Sequence, residues 1–415
     1  MARQHLKNHY INNQKYDIII IGAGASGLFC AHKIASHNIN TLIIEKSKES
    51  GQKLCLSGGG KANFSNREIT KRHYHSLTPN ACIPALKAFT PKHALQIINR
   101  WNLPYEERNH GQLFLCTSAK KLRDALLGDC YNNGVHIIYN SPVNKIWIED
   151  GLFHVFANNS VLISQGLCIA TGSPAHPQCG ASDIGFSLAR SLGHSIIPLH
   201  PALSPLIMPT NWPSPELSCK DLSGICLPVK ISIIIKNTQY TFEDDLLFTH
   251  NGISGPATLK TSLFWEHGKE ICINFAPSAQ FENILDIPSK MLVRNAAYRL
   301  APQRLVDALL PKELANRKCA ELSRAQRHNL ATAIHKHTCT PRRTVGLKKA
   351  EVCRGGISMA EINPKSMESS KIPHLWFLGE ILDMTGLLGG YNLHWAWASA
   401  LLAAQSIIKK FATKK

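Results

Sequence analysis

The segment YDIIIIGAGASGLFCAHKIA, Tyr16–Ala35, carries the pattern that decides the fold. Its first part, Asp17–Ile21, is a short isoleucine-rich run, which is typical of a parallel β-strand buried on both faces. Three glycines follow with the spacing Gly-x-Gly-x-x-Gly, and the apolar residues after them recur with a helical period. A strand, a glycine turn and a helix in this order predict the first βαβ unit of a dinucleotide-binding, Rossmann-like domain.

Each glycine of this turn meets a separate steric demand. Gly22 permits the tight turn, Gly24 lets the backbone approach a pyrophosphate, and Gly27 lets the helix pack closely on the strand. A second apolar strand, NTLIIEK, ends at Glu45, 18 residues beyond Gly27. An acid at this place is suited to bind the ribose hydroxyls of the adenosine half. The alternative is a βαβ unit in which the turn is merely tight.

Two later segments bear on which dinucleotide is bound. LCIATGSPAHP, from Leu167, is an apolar strand that runs into Thr171 and Gly172. It predicts a strand that returns to the nucleotide domain with a turn over the cofactor, and an ordinary strand-end turn is the alternative. The second segment, HLWFLGEILDMTGLLGGYNLHWAWASALLAA, begins with a predicted strand at His374–Leu378.

This C-terminal segment offers a second approach to a long cofactor. Its strand is followed by Gly379, Glu380 and Asp383, and a glycine pair precedes a long predicted helix that begins at Tyr391. An acid there can bind ribityl hydroxyls, and the helix N-terminus can stabilise negative charge on a reduced flavin ring. The pattern favours FAD over NAD, because FAD is longer and uses both ends of the chain.

SGGGKANFSN, Ser57–Asn66, places three consecutive glycines between a serine and a lysine. Without Cβ atoms such a loop can bring backbone N–H groups against a phosphate or a ring edge. A flexible surface linker has a similar composition. These residues alone leave both interpretations open.

Four motifs in register carry a resemblance to a known family. GQKLCLSGGGKANFSN, LLFTHNGISGPA, GGISMAEINPKSMES and GEILDMTGLLGGYNLHWAWASA resemble the HI0933-like flavoproteins, also called the YhiN or BaiN-like family, in a match from about Tyr16 to Ala404. The resemblance implies an α/β fold with a Rossmann-like FAD-binding domain of the two-dinucleotide-binding-domain flavoprotein type. An inserted domain with a β-barrel-like part and a helical part would interrupt it. Two positions depart from the family pattern, since Lys61-Ala62 replaces the usual Arg-Cys and His394 stands where Gln is common.

The resemblance also implies roles for the matching residues. The first glycine turn would face the FAD pyrophosphate, and Glu45 with Lys46 would face the adenosine end. The triple glycine would then be a cofactor loop along the diphosphate and flavin, and the C-terminal glycine pair would complete the flavin pocket. The predicted cofactor-binding residues are Gly22, Ala23, Gly24, Ala25, Ser26, Gly27, Glu45, Lys46, Lys53, Ser57, Gly58, Gly59, Gly60, Asn63, Val143, Thr171, Gly172, Gly379, Glu380, Asp383, Gly389, Gly390, Tyr391 and Asn392.

The character of the chain changes after the first nucleotide-binding elements, with a proline-rich stretch and then consecutive strand-like segments. We predict the FAD-binding domain at residues 1–195 and 352–415. A β-barrel-like substrate domain is predicted at 196–282 and 338–351, with a helical subdomain at 283–337.

Composition is that of a soluble globular enzyme, with 44% hydrophobic and 18% charged residues. The 13 cysteines are odd in number and include no Cys-x-x-Cys pair, which indicates reduced thiols, and we predict no metal site. The first fifteen residues are polar, and no apolar run is long enough to span a bilayer. We therefore expect a cytoplasmic protein that does not bind membranes.

The net charge is +18, from 46 Lys and Arg against 28 Asp and Glu. A field of this size favours a polyanion such as RNA, although many basic proteins bind no nucleic acid. We interpret a set of basic residues near the end of the insert as RNA contacts in the substrate lobe, with an ordinary solvated face as the alternative. They are Arg317, Arg324, Arg327, Arg342, Arg343, Lys348, Lys349 and Arg354.

The chain has no second glycine fingerprint and hence no dedicated nicotinamide domain, so NAD(P)H is predicted to bind transiently as the electron donor. FAD is predicted to be tightly bound and to pass a hydride to an activated C=C bond, with Cys55, His250 or Tyr391 supplying the proton.

The resemblance covers two branches. One is linked to dihydrouridine formation in large-subunit ribosomal RNA, and the other to reduction of conjugated double bonds in bile-acid intermediates.

The positive charge favours the first branch. The leading hypothesis is therefore an FAD-dependent enzyme that reduces uridine to dihydrouridine in large-subunit (23S) ribosomal RNA. One alternative is a reductase of a small-molecule enone, and another is a non-enzymatic flavin-containing RNA-binding assembly factor. The sequence does not indicate an oligomeric state.

Overall fold

The computed structural model describes residues 15–286 and 290–412. The polar segment 1–14, on which the expected lack of a signal peptide rests, lies outside the described residues. The chain divides into two compact units. Unit 1 contains the described residues up to His200 and those from Val352 onwards, and unit 2 is Pro201–Glu351. The division of the insert into a β-barrel-like and a helical part stays a prediction.

The described residues form the following regular elements. The strands are β1 (Lys15–Ile21), β2 (Thr41–Ile44), β3 (Asn63–Asn66), β4 (Tyr74–His75), β5 (Tyr105–Arg108), β6 (Gln112–Leu115), β7 (His136–Ile138), β8 (Val143–Glu149), β9 (Leu152–Ala157), β10 (Ser160–Ile169), β11 (Ile196–Ala202), β12 (Leu206–Ile207), β13 (Cys226–Ile235), β14 (Thr238–Thr249), β15 (Gly252–Ser254), β16 (Ile271–Asn274), β17 (His337–Cys339), β18 (Arg343–Thr344), β19 (Val352–Ile357), β20 (Ile362–Asn363), β21 (Glu368–Ser369), β22 (Leu375–Phe377) and β23 (Thr385–Gly386). The α-helices are α1 (Ala25–Ala35), α2 (Gln52–Leu56), α3 (Ile83–Ala88), α4 (Pro91–Arg100), α5 (Ala119–Asn132), α6 (Ile184–Ser191), α7 (Pro256–Phe264), α8 (Phe281–Asp286), α9 (Val293–Ala297), α10 (Gln303–Leu309), α11 (Lys312–Ala315), α12 (Arg324–His335) and α13 (Tyr391–Phe411).

The largest sheet of unit 1 has nine strands among the described residues. Its centre is parallel, in the order β22-β10-β1-β2-β7. Strand β1 lies in the middle, and Ile18–Ile20 are fully buried, as expected for a strand covered on both faces. Strands β21 and β20 extend one edge antiparallel, and the β8–β9 hairpin pairs onto β10. The predicted Rossmann-like α/β arrangement is confirmed.

Helix α13 is anchored in the core of unit 1 and begins at Tyr391, as the sequence predicts. The ring of Trp397 meets Phe29 of α1 edge-on, with centroids 5.3 Å apart. The indole N–H groups of Trp395 and Trp397 donate to the backbone oxygens of Gly379 (3.0 Å) and Phe64 (3.2 Å). Because these buried rings leave no N–H unpaired, they hold the N-terminal end of α13 firmly in place.

Unit 2 contains an antiparallel sheet, which has seven strands among the described residues. Their order is β17-β16-β13-β14-β15-β12-β18. Its core includes the fully buried side chains of Val229 and Ile231 on β13 and of Leu246 on β14. Helices α8 to α12 lie between β16 and β17 in the chain, over the region predicted to be helical. Among the described residues of the whole chain, no helix is long and apolar enough to cross a bilayer.

Candidate cofactor site

The turn between β1 and α1 is shaped by the clashes that side chains would make there. Gly22 has a φ of +104°, and a Cβ on it would lie 2.6 Å from the carbonyl oxygen of Ala170. A Cβ on Gly27 would lie 2.0 Å from the carbonyl oxygen of Gly22. No described atom beyond the chain neighbours lies within 4 Å of the Cβ position of Gly24. Gly22 and Gly27 thus close the turn, while Gly24 leaves space at the N-terminus of α1 where an anion can bind.

Glu45 follows β2 and is fixed against this turn. Its Oε2 accepts the N–H of Ala23 and its Oε1 accepts the N–H of Ser47, each at 2.8 Å. Both carboxylate oxygens keep a further lone pair with which to accept a ligand hydroxyl. The geometry is consistent with the predicted ribose contact, which stays a prediction.

Two further predicted residues lie near this end of the sheet. The Nζ of Lys46 donates to the Oγ of Ser182 at 2.7 Å, and burial lowers the pKa of Lys46. Val143 begins β8 with a buried side chain, two residues after Ser141, whose N–H donates to the backbone oxygen of Glu45 at 3.0 Å. Val143 is therefore placed beside the predicted adenosine end.

The triple-glycine stretch is a defined turn. Gly58, Gly59 and Gly60 have φ values of +56°, +65° and +84°, in the left-handed region. A Cβ on Gly58 would lie 2.7 Å from the backbone nitrogen of Asn63. No described atom beyond the chain neighbours lies within 4 Å of the Cβ position of Gly59. The loop therefore has a defined conformation that packs on one side and is open on the other, and its role as a cofactor loop stays a prediction.

The triple-glycine segment packs directly on the N-terminal end of α13. A Cβ on Gly390 would lie 2.2 Å from the backbone oxygen of Ser65. The Nδ2 of Asn66 donates to the backbone oxygen of Gly389 at 3.0 Å, across 323 residues of sequence. With the amide of Asn63 oriented to satisfy both its ends, its oxygen accepts the N–H of Gly390 at 3.1 Å. The structure thus brings together the two glycine-rich segments predicted to hold the cofactor.

The turn before α13 is held by one amide side chain. The Oδ1 of Asn392 accepts the N–H of Gly386 at 2.8 Å, and its Nδ2 donates to the oxygen of the same residue at 2.9 Å. The first N–H groups of a helix have no intrahelical acceptor, so they remain available to an anion or to negative charge on a ring. Gly379 also packs tightly, because a Cβ on it would lie 2.8 Å from the Oγ of Ser26.

Glu380 is the centre of a hydrogen-bonded cluster. Its Oε2 accepts from the Nζ of Lys53 at 2.6 Å, and its Oε1 accepts from the Oγ of Ser173 at 2.6 Å. The N–H of Cys353 donates to the same Oε1 at 3.2 Å, and burial raises the pKa of the Cys353 thiol to about 11. Ser173 and Cys353 were not anticipated from the sequence. Ser173 directly follows the predicted Thr171-Gly172 turn, which was the available signal.

That turn also contains a buried hydroxyl without a partner. The Oγ1 of Thr171 makes no hydrogen bond to any described residue. Gly172 has a φ of +70°, and no described atom beyond its chain neighbours approaches within 4 Å of its Cβ position. The Thr171 hydroxyl packs against Gly185 of α6, because a Cβ on Gly185 would lie 1.9 Å from its Oγ1, whereas the backbone at Gly172 is open to a ligand.

Asp383 and Tyr391 lie close to the α13 turn and are both buried. The Oδ2 of Asp383 accepts the N–H of Leu77 at 2.9 Å and the hydroxyl of Ser76 at 3.2 Å, and burial raises the pKa of Asp383. The ring of Tyr391 stacks on His73, with centroids 4.4 Å apart and planes at 20°. Burial raises the pKa of Tyr391 to about 12. The segment that supplies His73, Ser76 and Leu77 was missed, because it carries no motif or periodicity.

The three candidate proton donors fall in different places. Tyr391 lies at the glycine-rich end of α13. Cys55 lies on α2 just before the triple glycine, half-buried, and burial raises the pKa of its thiol. His250 belongs to unit 2 and is exposed in the turn between β14 and β15. Their catalytic roles stay predictions. Among the described residues, no group of three or more His, Cys, Asp or Glu side chains is arranged to hold a metal ion.

The predicted RNA contacts near the end of the insert stay a prediction, and the positive charge of the chain is not confined to that unit. Residues 201–351 carry 19 Lys and Arg and 13 Asp and Glu, a net charge of +6, whereas the rest of the chain carries 27 and 15, a net charge of +12. Arg354 belongs to unit 1, and Arg327 and Arg317 form ion pairs with Asp286 (3.0 Å) and Glu321 (4.0 Å). Positive charge per residue is therefore about the same in both units.

The parallel sheet, the glycine turn, the acid after β2 and the helix start at Gly390 define unit 1 as a Rossmann-like FAD-binding domain. The chain belongs to the HI0933-like protein family, because it matches the Rossmann domain of that family over residues 16–406.

Three curated relatives match almost end to end. A ribosomal RNA dihydrouridine synthase from Escherichia coli K12 is 33% identical over 401 residues, which cover 95% of this chain and 98% of the relative. A ribosomal RNA dihydrouridine synthase from Haemophilus influenzae is 33% identical over 407 residues, covering 96% and 100%. A 3-dehydro-bile acid delta(4,6)-reductase from Clostridium scindens is 26% identical over 412 residues, covering 94% and 98%.

Substitution of Gly24 separates cofactor binding from folding. Gly24 has a φ of −79° and open space at its Cβ position, so Gly24→Ala should fold normally and yet block the approach of a pyrophosphate. We expect purified Gly24→Ala to lose most of its flavin absorbance while the melting temperature of the flavin-free protein stays close to wild type. Gly27→Ala is the matched control, and overpacking should lower its free energy of unfolding by about 1–3 kcal/mol. Full flavin retention by Gly24→Ala would contradict the assignment.

His394 predicts an acid-sensitive stability. It is fully buried, its Nδ1 accepts the hydroxyl of Ser65 at 2.8 Å, and its Nε2–H donates to the oxygen of Phe89 at 2.9 Å. Burial lowers its pKa from 6.5 to about 4. Between these values the unfolded chain binds the proton more readily, so stability falls as the pH drops through this window.

The expected loss from this one group is about 2 kcal/mol between pH 7.5 and pH 5. His394→Gln keeps one donor and one acceptor at the position and should remove that part of the loss, as measured by urea unfolding at both pH values. The wild-type and variant chains both retain His32, whose pKa burial also lowers to about 4, so some pH dependence remains in each. An unchanged pH dependence in His394→Gln would show that His394 does not titrate in this way.

Proposed function

We propose that this protein is an FAD-dependent reductase that uses NAD(P)H to reduce the C5=C6 bond of a uridine in large-subunit (23S) ribosomal RNA. The observation that carries the proposal is the likeness to two ribosomal RNA dihydrouridine synthases over at least 95% of the chain. The net charge of +18 supports a polyanionic substrate. A ribosomal RNA substrate places the enzyme in the cytoplasm.

Unit 1 offers groups that suit each part of an FAD molecule, from the adenosine to the flavin ring. Gly24 and Glu45 suit the pyrophosphate and the adenosine ribose, and the Glu380 cluster suits polar groups of the linking chain. The triple-glycine turn and the N-terminal end of α13 suit the flavin ring, because both present backbone N–H groups. FAD, when bound, supplies the hydride for this reduction. NAD(P)H binds transiently as its source.

Tyr391 is our candidate for the residue that donates a proton to the neighbouring carbon. Burial raises its pKa to about 12, so the hydroxyl keeps its proton throughout the physiological range. In the part of the chain that the structure describes, this hydroxyl has no hydrogen-bond partner, which leaves the proton free for a substrate. The stack on His73 fixes the ring plane, and the hydroxyl of Tyr74 donates to the backbone oxygen of Tyr391 at 3.0 Å.

A small-molecule enone is the second candidate substrate. The relative from Clostridium scindens is named as a bile-acid reductase and matches 94% of this chain. The lower identity of this match, 26% against 33%, places it behind ribosomal RNA.

The deciding experiment incubates the purified protein with NADPH and unmodified large-subunit ribosomal RNA, followed by digestion and mass spectrometry. We expect new dihydrouridine with the wild-type protein and none with Gly24→Val, which cannot bind FAD. NADPH oxidation stimulated by a conjugated enone but not by RNA would favour the small-molecule reductase. RNA binding without dihydrouridine in either protein would favour an assembly factor.

Replacement of Tyr391 tests the proton donor. Tyr391→Phe keeps the aromatic stack on His73 and removes only the hydroxyl, so dihydrouridine formation should fall about 100-fold. Because the pKa of Tyr391 is about 12, the wild-type rate should not fall between pH 6 and pH 9 through loss of this proton. Flavin absorbance of the variant is the control for cofactor binding. A rate within a few-fold of wild type would exclude Tyr391 as the donor.

A further inference from the structure

Leu77 is a large apolar side chain that the fold keeps in solvent, with 66% of its surface exposed. A single exposed leucine is ordinary on a protein surface. Leu77 differs because its backbone is pinned. Its N–H donates to the Oδ2 of the buried Asp383 at 2.9 Å, and the next N–H, of Thr78, donates to the Oγ of Ser76 at 2.9 Å. The side chain is therefore presented from a rigid loop.

The loop is attached to the same segment that forms the flavin end of the candidate site. Strand β4, directly before it, pairs with β23, with Thr385 opposite His75 and Gly386 opposite Tyr74. The hydroxyl of Ser76 also donates to Asp383, at 3.2 Å. Leu77 thus stands on a rim whose position is fixed relative to the glycine turn before α13.

Basic side chains accompany this rim. The Nζ of Lys71 donates to the Oδ1 of Asn80 at 3.0 Å, so it reaches from one side of the Leu77 loop to the other. Arg72 is exposed and forms no ion pair with any described residue. Glu68 is the exposed acid in the same stretch, which leaves the rim with a net positive charge. A rigid apolar tip, accompanied by two cations that form no ion pair with any described residue, suits RNA, whose bases are apolar on their faces and whose phosphates are anionic.

We propose that Leu77 is a wedge that inserts beside the target uridine and unstacks it, while Lys71 and Arg72 bind the flanking phosphates. This inference rests on the proposed function. A uridine in folded RNA must leave its stack before its C5=C6 bond can reach a flavin, and unstacking is costly. Apolar side chains such as leucine are known to separate neighbouring bases when inserted between them. A steroid-like substrate needs no such device.

The test compares Leu77→Ala, Leu77→Met and Ile148→Ala on two substrates. Ile148 is the matched control, because it is an apolar residue 42% exposed on β8, outside the candidate site. On a folded domain of large-subunit ribosomal RNA, Leu77→Ala should form dihydrouridine about tenfold more slowly than wild type. On a short unstructured oligonucleotide containing uridine the loss should be at most about twofold, since no stack has to be opened. Leu77→Met should recover most of the rate, and Ile148→Ala should match wild type on both substrates.

A second measurement addresses the cations. Arg72→Gln should reduce the slope of log Kd against log salt for RNA binding by about 1, as expected when one phosphate contact is lost. An unchanged slope would remove Arg72 from the proposal. Melting temperature and flavin absorbance show whether each variant is folded and loaded.

The outcomes separate this inference from the proposed function. If wild-type protein forms no dihydrouridine on ribosomal RNA, the proposed function fails and the wedge with it. If wild-type protein is active and Leu77→Ala is equally active on folded RNA, the wedge is wrong and the proposed function stands. Equal losses on folded RNA and on the oligonucleotide would also overturn the wedge, because Leu77 would then act on the reacting uridine itself.

Discussion

The candidate site depends on the contact between Gly390 and Ser65. A Cβ on Gly390 would lie 2.2 Å from the backbone oxygen of Ser65, and the φ of Gly390 is +92°, so both space and backbone conformation require glycine. Through this contact the triple-glycine segment and the start of α13 are held as one piece. The hydrogen bonds of Asn63 and Asn66 set the register of that contact, and the buried indoles of α13 keep the helix from moving away from it.

Burial and pairing together give the site its electrostatic character. Burial raises the pKa of Tyr391 to about 12 and also raises the pKa of Asp383, so burial disfavours negative charge at the α13 end. Glu380, by contrast, is compensated by Lys53 at 2.6 Å. Burial of Asp383 and Tyr391 and the ion pair of Glu380 both limit the negative charge that opposes the positive end of the helix dipole. These surroundings would stabilise negative charge on a flavin ring held next to the helix, as the proposed reductase requires.

The parts of the fold that could be predicted from the sequence are those determined by local pattern. Strand β1 and helix α13 have strong apolar patterns, and glycines mark the turn after β1 and the start of α13. The structure has all of these features. The segment from Arg67 to Asn80 could not be predicted in this way, because its role comes from partners such as Asp383, 306 residues from Leu77 in sequence. The partner of Arg327 could not be predicted either, since Asp286 lies 41 residues away in sequence.

Substrate choice must come from residues other than those that fit the cofactor. Reduction of a uracil ring and reduction of a conjugated enone both add a hydride and a proton to a C=C bond next to a carbonyl group, so one flavin site can serve either reaction. The physical difference lies before the chemistry, because a base in folded RNA is stacked and bonded to a charged backbone, whereas a steroid is neither. An exposed Leu77 on a fixed backbone suits the unstacking of a base, and Lys71 and Arg72 suit phosphate binding. Reduction of a steroid requires neither. Under this proposal the Leu77 loop, more than the residues predicted to bind FAD, distinguishes the two candidate functions.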